Sequence, residues 1–329
     1  VAESRNRIGV DLGGSKIHGV VLQADGRFSR ELRVATPKQD YQATLEALVT
    51  LVEQLDPTLQ MPVGIGTPGS PLPGSGLMHN CNSTWLNGTA LSEDLNAALG
   101  GRVRIANDAD CFALSEAKGG AGDGAASVFG VILGTGVGGG VVIDGRLHRG
   151  PSGLSGEWGH NPLPYFPELL PDSVKWRLSA RECYCGQLNC IETFLSGPGL
   201  AQTHQELWDE LLDALQLYRQ AAVVSVDPLD CDPDWKQPFG SVDAAGRARL
   251  TLSLYCQLLA AALAGLVNIL DPAVVVLGGG LSQMHAIYQP LQRQLEQRVF
   301  GAHCRTRILP PVFGDASGVR GAAWLWEAD

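Results

Sequence analysis

Four residues of this chain have the types and spacing of a metal site: His160, Cys183, Cys185 and Cys190. The cysteines share one short segment, Cys183-Tyr-Cys-Gly-Gln-Leu-Asn-Cys190-Ile-Glu192. A Cys₃His set is a composition of closed tetrahedral zinc sites, whereas calcium or magnesium calls for oxygen ligands. Scattered core cysteines and one core histidine would be the plainer reading, but three cysteines in one Gly-containing segment speak against it. A Cys183–Cys185 disulfide would close a strained ring. Zinc in a structural role is therefore expected, because four protein ligands leave no open position for a catalytic water. Glu157 and Glu192 flank this set and exceed what a four-ligand ion can use. They are either surface carboxylates or acceptors for another ligand, and sugar hydroxyls are natural donors to them.

Three glycine turns supply a second kind of chemistry. Asp11 and Gly13-Gly14-Ser15-Lys16 end a strand at 8–12, and a returning strand follows at 17–22. The backbone N–H groups of such a hairpin can face an anion, and Asp11 can hold magnesium or its waters. A plain hairpin with a strand-end aspartate is the competing reading, and a Walker A loop is excluded because no helix follows. Gly134-Thr135-Gly136 opens a second turn, in which Gly134, Gly136 and Gly139 match G-x-G-x-x-G. A dinucleotide site needs a helix next, and 141–143 predicts a strand. Gly278-Gly279-Gly280 forms the third turn and suits the cover of an adenosine. Asn107-Asp108 ends a strand and opens a helix over 109–118. Both types are preferred helix caps. An aspartate at the carboxyl edge of a sheet is also where α/β ligands bind, and the helix dipole keeps it ionised.

These residues need two domains to carry them. At 329 residues the chain is long for one core. Hydrophobic content of 45% with 18% charged residues is that of a globular enzyme. A net charge of −10 speaks against nucleic-acid and anionic-membrane partners. Eight cysteines are too few for a disulfide scaffold, and clustered thiolates fit a reducing cytosol. The polar start gives no signal peptide, and the apolar stretch 250–270 reads as a buried helix, so a cytoplasmic protein without a membrane anchor is expected. Helices are predicted at 41–55, with Leu45, Leu48, Val52 and Leu55 on one face, and at 91–99. Strands are predicted at 63–66, 103–106, 127–133 and 274–277, and a Pro- and Asp-rich loop at 227–238. The strand–glycine turn–strand plan occurs near the N-terminus and again after residue 127, as two copies of one domain plan would give.

Taken together and in order, Asp11-Leu-Gly-Gly-Ser-Lys16, Asn107-Asp108, Gly134-Thr-Gly-Val-Gly138, Gly156-Glu-Trp-Gly-His160 and the cysteine segment resemble the ROK family of bacterial sugar kinases. The resemblance runs from end to end. The stretches Asn82-Ser-Thr-Trp-Leu-Asn-Gly88, Glu157-Trp-Gly-His-Asn-Pro-Leu-Pro164 and Gly318-Val-Arg-Gly-Ala-Ala-Trp-Leu-Trp326 look like its fructokinase (manno-fructokinase) branch, with N-acetylglucosamine kinases and glucokinases close by. Ser15 stands where the family has Thr and keeps the hydroxyl. Asn189 stands where a Gly precedes the last cysteine, and Asn tolerates a left-handed backbone.

The resemblance implies a two-domain α/β fold of the actin/hexokinase (ribonuclease H-like) kind, with duplicated mixed-sheet domains and a structural zinc loop. Residues 1–108 plus 316–329 would form the small domain and 109–315 the large one, containing the zinc segment 156–192. It further implies phosphorylation of a hexose 6-hydroxyl by ATP, fructose first, with ATP and magnesium at Asp11, Gly13–Lys16, Gly134–Gly136 and Gly278–Gly280. Asp108 would be the base, and Asn82, Asn107, Glu157, His160 and Glu192 would hold the sugar. A homodimer is expected. The family also holds sugar-responsive repressors, which carry a winged helix-turn-helix ahead of the kinase-like part. The first strand here is expected near Arg7, which argues for the enzyme.

Overall fold

The computed structural model describes residues 6–164, 166, 170, 172–222, 241–301 and 303–326. The chain begins with an antiparallel meander, β1 (Arg7–Leu12), β2 (Lys16–Leu22) and β3 (Phe28–Ala35), followed by helix α1 (Tyr41–Leu55) and β4 (Val63–Thr67). A minor hairpin pairs β5 (Ser70–Pro71) with β6 (Met78–His79) in the stretch after β4. Then come α2 (Leu91–Leu99), β7 (Val103–Asn107) and α3 (Asp108–Ala117). The second meander is β8 (Ser127–Leu133), β9 (Val137–Ile143) and β10 (Arg146–Leu147). The cysteine segment carries two short helices, α4 (Asp172–Lys175) and α5 (Ile191–Leu195). Beyond it lie α6 (Gly197–Trp208), α7 (Ala214–Ala222), α8 (Ala244–Leu270), β11 (Val274–Gly278), α9 (Tyr288–Arg298), β12 (Arg307–Leu309) and α10 (Ser317–Trp324). The loop expected at 227–238 lies outside the described residues.

The two sheets follow one plan, with orders β3-β2-β1-β4-β7 and β10-β9-β8-β11-β12. In the first, the meander pairs antiparallel while β1–β4 and β4–β7 pair parallel. In the second, β9–β10 is antiparallel and β11–β12 parallel. Duplication read from two glycine turns is thus present in the sheet orders. The helices follow local signals. Asp40 caps α1 by accepting the Ala43 N–H at 3.0 Å, and Leu48, Leu51, Val52 and Leu55 are buried on the sheet. Gly100, at φ 73°, ends α2 in the left-handed conformation that glycine adopts without strain.

The chain divides into two compact units. Unit 1 comprises Val1–Gly130, Gly139–Gly156 and Pro311–Asp329, and unit 2 comprises Val131–Gly138 and Glu157–Pro310. The division falls inside β8 and β9, whereas the sequence expectation places it at 108/109. Helix α3 accounts for the difference, because it packs on the outer halves of both strands. A Cβ on Gly130 would meet Ala113 at 2.7 Å, and one on Gly140 would meet the Ala109 carbonyl at 2.7 Å. The same approach explains a correction to the predicted strand: β9 starts at Val137, not at Val141. The glycines that read as breakers are strand residues, placed where side chains would collide with α3 or with Phe129.

In unit 1, α10 seats on β1, β4 and α3. Its carbonyls lie where side chains on Gly9 and Gly64 would be, at 2.0 Å from Val319 O and 1.7 Å from Ala322 O. In unit 2, α8 packs against α6, α7 and α9. This helix is long and apolar enough to cross a membrane, but 83% of its most apolar window is buried inside the protein, so it is a core helix.

Candidate active site and metal centre

The four metal-type donors converge. The ligand atoms of His160, Cys183, Cys185 and Cys190 all lie within 4.8 Å of one another. Cys183 Sγ is 3.5 Å from His160 Nδ1, and Cys185 Sγ is 3.6 Å from Cys190 Sγ. A tetrahedral ion with metal–sulfur bonds of about 2.3 Å separates its sulfurs by about 3.8 Å, so the cluster has the dimensions of such a site. Burial pushes the Cys190 thiol up to about 12, while the Gln187 backbone N–H helps hold the exposed Cys185 at about 7. An ion would take all three as thiolates.

Local structure holds this cluster. The Cys183 N–H donates to Gln187 O and the Gly186 N–H to Cys183 O, both at 2.9 Å, closing a tight turn. Asn189 adopts φ 56°, the left-handed backbone that its substitution for glycine requires. Its side chain accepts the Arg181 N–H at 2.8 Å. Arg181, almost fully buried, ties this turn to the following helices through Thr193 O, Gly199 O and Glu206.

The cysteine segment is also fastened to the second glycine turn, within unit 2. Buried Trp158 donates to Gly138 O at 2.9 Å, and Gly159 lies where a Cβ would stand 2.0 Å from Val137 O. Glu192 Oε2 accepts the Val137 N–H at 2.8 Å, and the Gly197 N–H donates to Gly134 O at 2.8 Å. Gly136 must lack a side chain here, since its Cβ would stand 2.7 Å from the Glu192 carboxylate. A cavity of ≈530 Å³ opens beside this turn, lined among others by Gly134, Thr135, Leu215, Tyr218, Gly280 and Met284. Two of the three glycine turns therefore border one cavity. Gly278 ends β11 and Gly279, at φ 77°, packs against the Leu133 carbonyl; neither lines it.

His160 Nε2, the ring nitrogen turned away from the sulfurs, is 3.0 Å from the Tyr184 hydroxyl. Partial burial pushes this phenol up to about 12, and the charges of Glu192 and Glu157 add to the effect. Glu157 is exposed, at the start of the 3₁₀ turn Trp158–His160. Sequence reasoning missed Tyr184, Arg181, Trp158 and the Val137 N–H. The Cys-Tyr-Cys context of Tyr184 was in view, but only proximity to His160 gives it meaning.

In unit 1, Gly13 N donates to Lys16 O at 3.1 Å and closes the first turn, and Thr36 anchors it from β3's end through Gly13 O and Ser15 O. Gly14, Ser15 and Lys16 are exposed. Burial pushes the Asp11 carboxyl above the usual range, against the pull of His18 and Lys16. A Cβ on Gly318 would approach that carboxyl to 3.5 Å, so the first turn of α10 faces it. Asn107 caps α3, accepting the Ala109 N–H at 2.8 Å, and Asp108 Oδ1 accepts the same N–H at 2.7 Å. Asp108 itself is exposed. Asn82 is exposed in a loop braced by Asn87, which bonds both the N–H and the carbonyl of Cys81, and by Trp85 bonded to Thr44.

Known proteins match the chain along nearly its whole length. The model of the ROK family matches residues 7–329. The N-acetyl-D-glucosamine kinase of Citrobacter koseri is 38% identical over 323 residues, 98% of this chain and 99% of its own length. That of Salmonella typhimurium is 37% identical over the same span and shares. Among solved structures, a ROK hexokinase from Thermus thermophilus matches with TM-score 0.78 and 28% identity, over 97% of each chain. With the family model covering the chain from its first strand to its end, the protein belongs to the ROK family, and its relatives lie among that family's sugar kinases.

Proposed function

We propose that the protein transfers the γ-phosphoryl group of ATP to the 6-hydroxyl of a hexose. The observation that carries this reading is the ≈530 Å³ cavity bordered by the Gly134–Thr135 and Gly280 turns. Its size and largely apolar lining suit a nucleoside, and the adjacent backbone N–H groups suit its phosphates. In this reading Gly134–Gly136 and Gly13–Lys16 receive phosphate oxygens, and Asp11 acts on the magnesium that accompanies ATP. Asp108 is the base for the attacking hydroxyl. Asn82, Asn107, Glu157, His160 and Glu192 take the other sugar hydroxyls. Phosphoryl transfer of this kind depends on positioning and charge neutralisation, for which glycine turns and fixed carboxylates suffice. Zinc at His160, Cys183, Cys185 and Cys190 would hold the segment that bears Glu157 and Glu192 and fix the His160 tautomer.

N-acetyl-D-glucosamine is the sugar that the full-length relatives favour. Fructose is the second reading, favoured by the stretches 82–88, 157–164 and 318–326. A panel of N-acetylglucosamine, glucose and fructose with coupled ADP detection tests both. ADP release with none of them would overturn the kinase reading, and the best kcat/KM names the sugar.

A further inference from the structure

We propose that Tyr184 is a specificity-determining residue of the sugar site, one that occupies the His160 donor before the sugar does. The inference rests on the reading of His160 as a sugar ligand and extends it to a residue with no assigned role. With Nδ1 turned to the cysteine sulfurs and given to a metal, the imidazole keeps its proton on Nε2, which can then only donate. Tyr184 Oη lies 3.0 Å from that nitrogen and is its acceptor. The two rings meet edge to face, 5.1 Å between centroids at 87°. Any sugar hydroxyl that takes the same proton must first displace the phenol.

The setting suits such a displacement. Tyr184 lies between two ligands, Cys183 and Cys185, so its backbone is held while its side chain, with the residue 78% exposed, can change rotamer at little packing cost. The aromatic ring therefore stands on the side of the imidazole turned away from the sulfurs, where His160 is read as meeting the sugar. A sugar presenting a plain hydroxyl at His160 needs the phenol to move aside. One presenting a bulkier acetamido group there needs the whole ring to move aside, so the ring sets how the two sugars compare.

The test uses the full-length, metal-loaded protein with Tyr184→Phe and Tyr184→Ala. Calorimetry without nucleotide measures the Kd of each sugar, and steady-state kinetics gives kcat/KM for N-acetylglucosamine and fructose. Removing the competing hydroxyl in Tyr184→Phe tightens sugar binding by about two- to tenfold, the reach of one hydrogen bond. Tyr184→Ala raises the N-acetylglucosamine-to-fructose ratio of kcat/KM by about tenfold or more. Metal content and ADP affinity stay at wild-type values in both. Sugar Kd values and ratios within about twofold of wild type would make Tyr184 a bystander. Weaker binding by Tyr184→Phe would mean that the hydroxyl bonds the sugar instead of competing with it, and overturns the inference as well. Wild-type protein that binds neither sugar overturns the sugar reading, and this inference with it.

Discussion

Asp108 illustrates how much one carboxylate is asked to do. Its Oδ1 shares the Ala109 N–H with the Asn107 cap, and the helix start favours its ionised form. Asn at position 108 keeps an acceptor for that N–H while losing the charge. Asp108→Asn should therefore fold and hold metal normally, with kcat lower by roughly 10²–10⁴, the range for general acid–base catalysis. Sugar affinity measured without ATP should change much less. Activity within about tenfold of wild type would reduce Asp108 to a helix-start residue, since tenfold is only ~1.4 kcal/mol of barrier. Cys185 is the exposed member of the metal set, and Ser is a poor substitute for thiolate. Elemental analysis should find about one zinc ion per wild-type chain and little in Cys185→Ser, which should also bind sugar weakly. Full sugar affinity in metal-free protein would separate the cluster from the sugar site.

At the scale of elements, α5 does more than carry a residue proposed to hold the sugar. Glu192 on this helix accepts the Val137 N–H of the glycine turn, so the residue also braces the turn proposed to meet the nucleotide. The sequence alone assigns Glu192 to the sugar, which would leave nucleotide binding untouched by its loss. With the observed bond, Glu192→Ala should weaken both sugar and ADP binding, the latter by about tenfold, the lower range for a hydrogen bond to a charged group. Glu192→Gln retains an acceptor for Val137 and should lose sugar affinity with near-normal ADP affinity. Identical ADP affinity in the Ala and Gln variants would show that the bond does not hold the turn.

A second element-scale tie joins the end of α1 to β4 and β7. Burial alone would raise the Asp56 carboxyl. Hydrogen bonds from Thr58, Met61, Gln60 and Arg102 outweigh it and hold it at about 2. Because its folded value is depressed, Asp56 contributes stability above its unfolded value near ~4 and loses it as pH falls from there toward about 2. The contribution is on the order of 2 kcal/mol at neutral pH. Asp56→Asn should lower stability at pH 7 and flatten the acid limb of a denaturation series. An unchanged slope between pH 4 and 2, which ~1 kcal/mol would already alter, would remove Asp56 from the linkage.

At the scale of the whole molecule, the last helix completes the unit that the first strand begins. A Cβ on Gly64 or Gly321 would strike Ala322 O at 1.7 Å or Cys111 O at 1.6 Å, and both obstacles are backbone. Such atoms cannot swing aside as a side-chain tip can. Gly64→Ala and Gly321→Ala should each destabilise unit 1 by about 1–3 kcal/mol, the cost of overpacking. Denaturant unfolding followed by two probes, one in each unit, should show the loss in the unit 1 transition. Unaltered midpoints would mean that α10 rides loosely on the sheet.

Residue types and local spacing were enough for much of this. The caps and apolar faces of α1 and α2 act within one turn of helix, so their ends match the structure. The convergence of His160 with three cysteines was legible because thiolate and imidazole have few other reasons to share a segment, and Asn189 because few side chains tolerate φ near 56°. The duplicated plan was visible as a repeated glycine turn. What the tertiary structure decided are meetings between residues far apart in the chain. Gly139 and Gly140 read as breakers because nothing local shows that Phe129 and α3 lie against them. The Glu192–Val137 bond spans 55 residues and the His160–Tyr184 pair 24. Hydrogen-bond geometry and close packing are settled by the distance between atoms in space, and only the folded chain sets that distance.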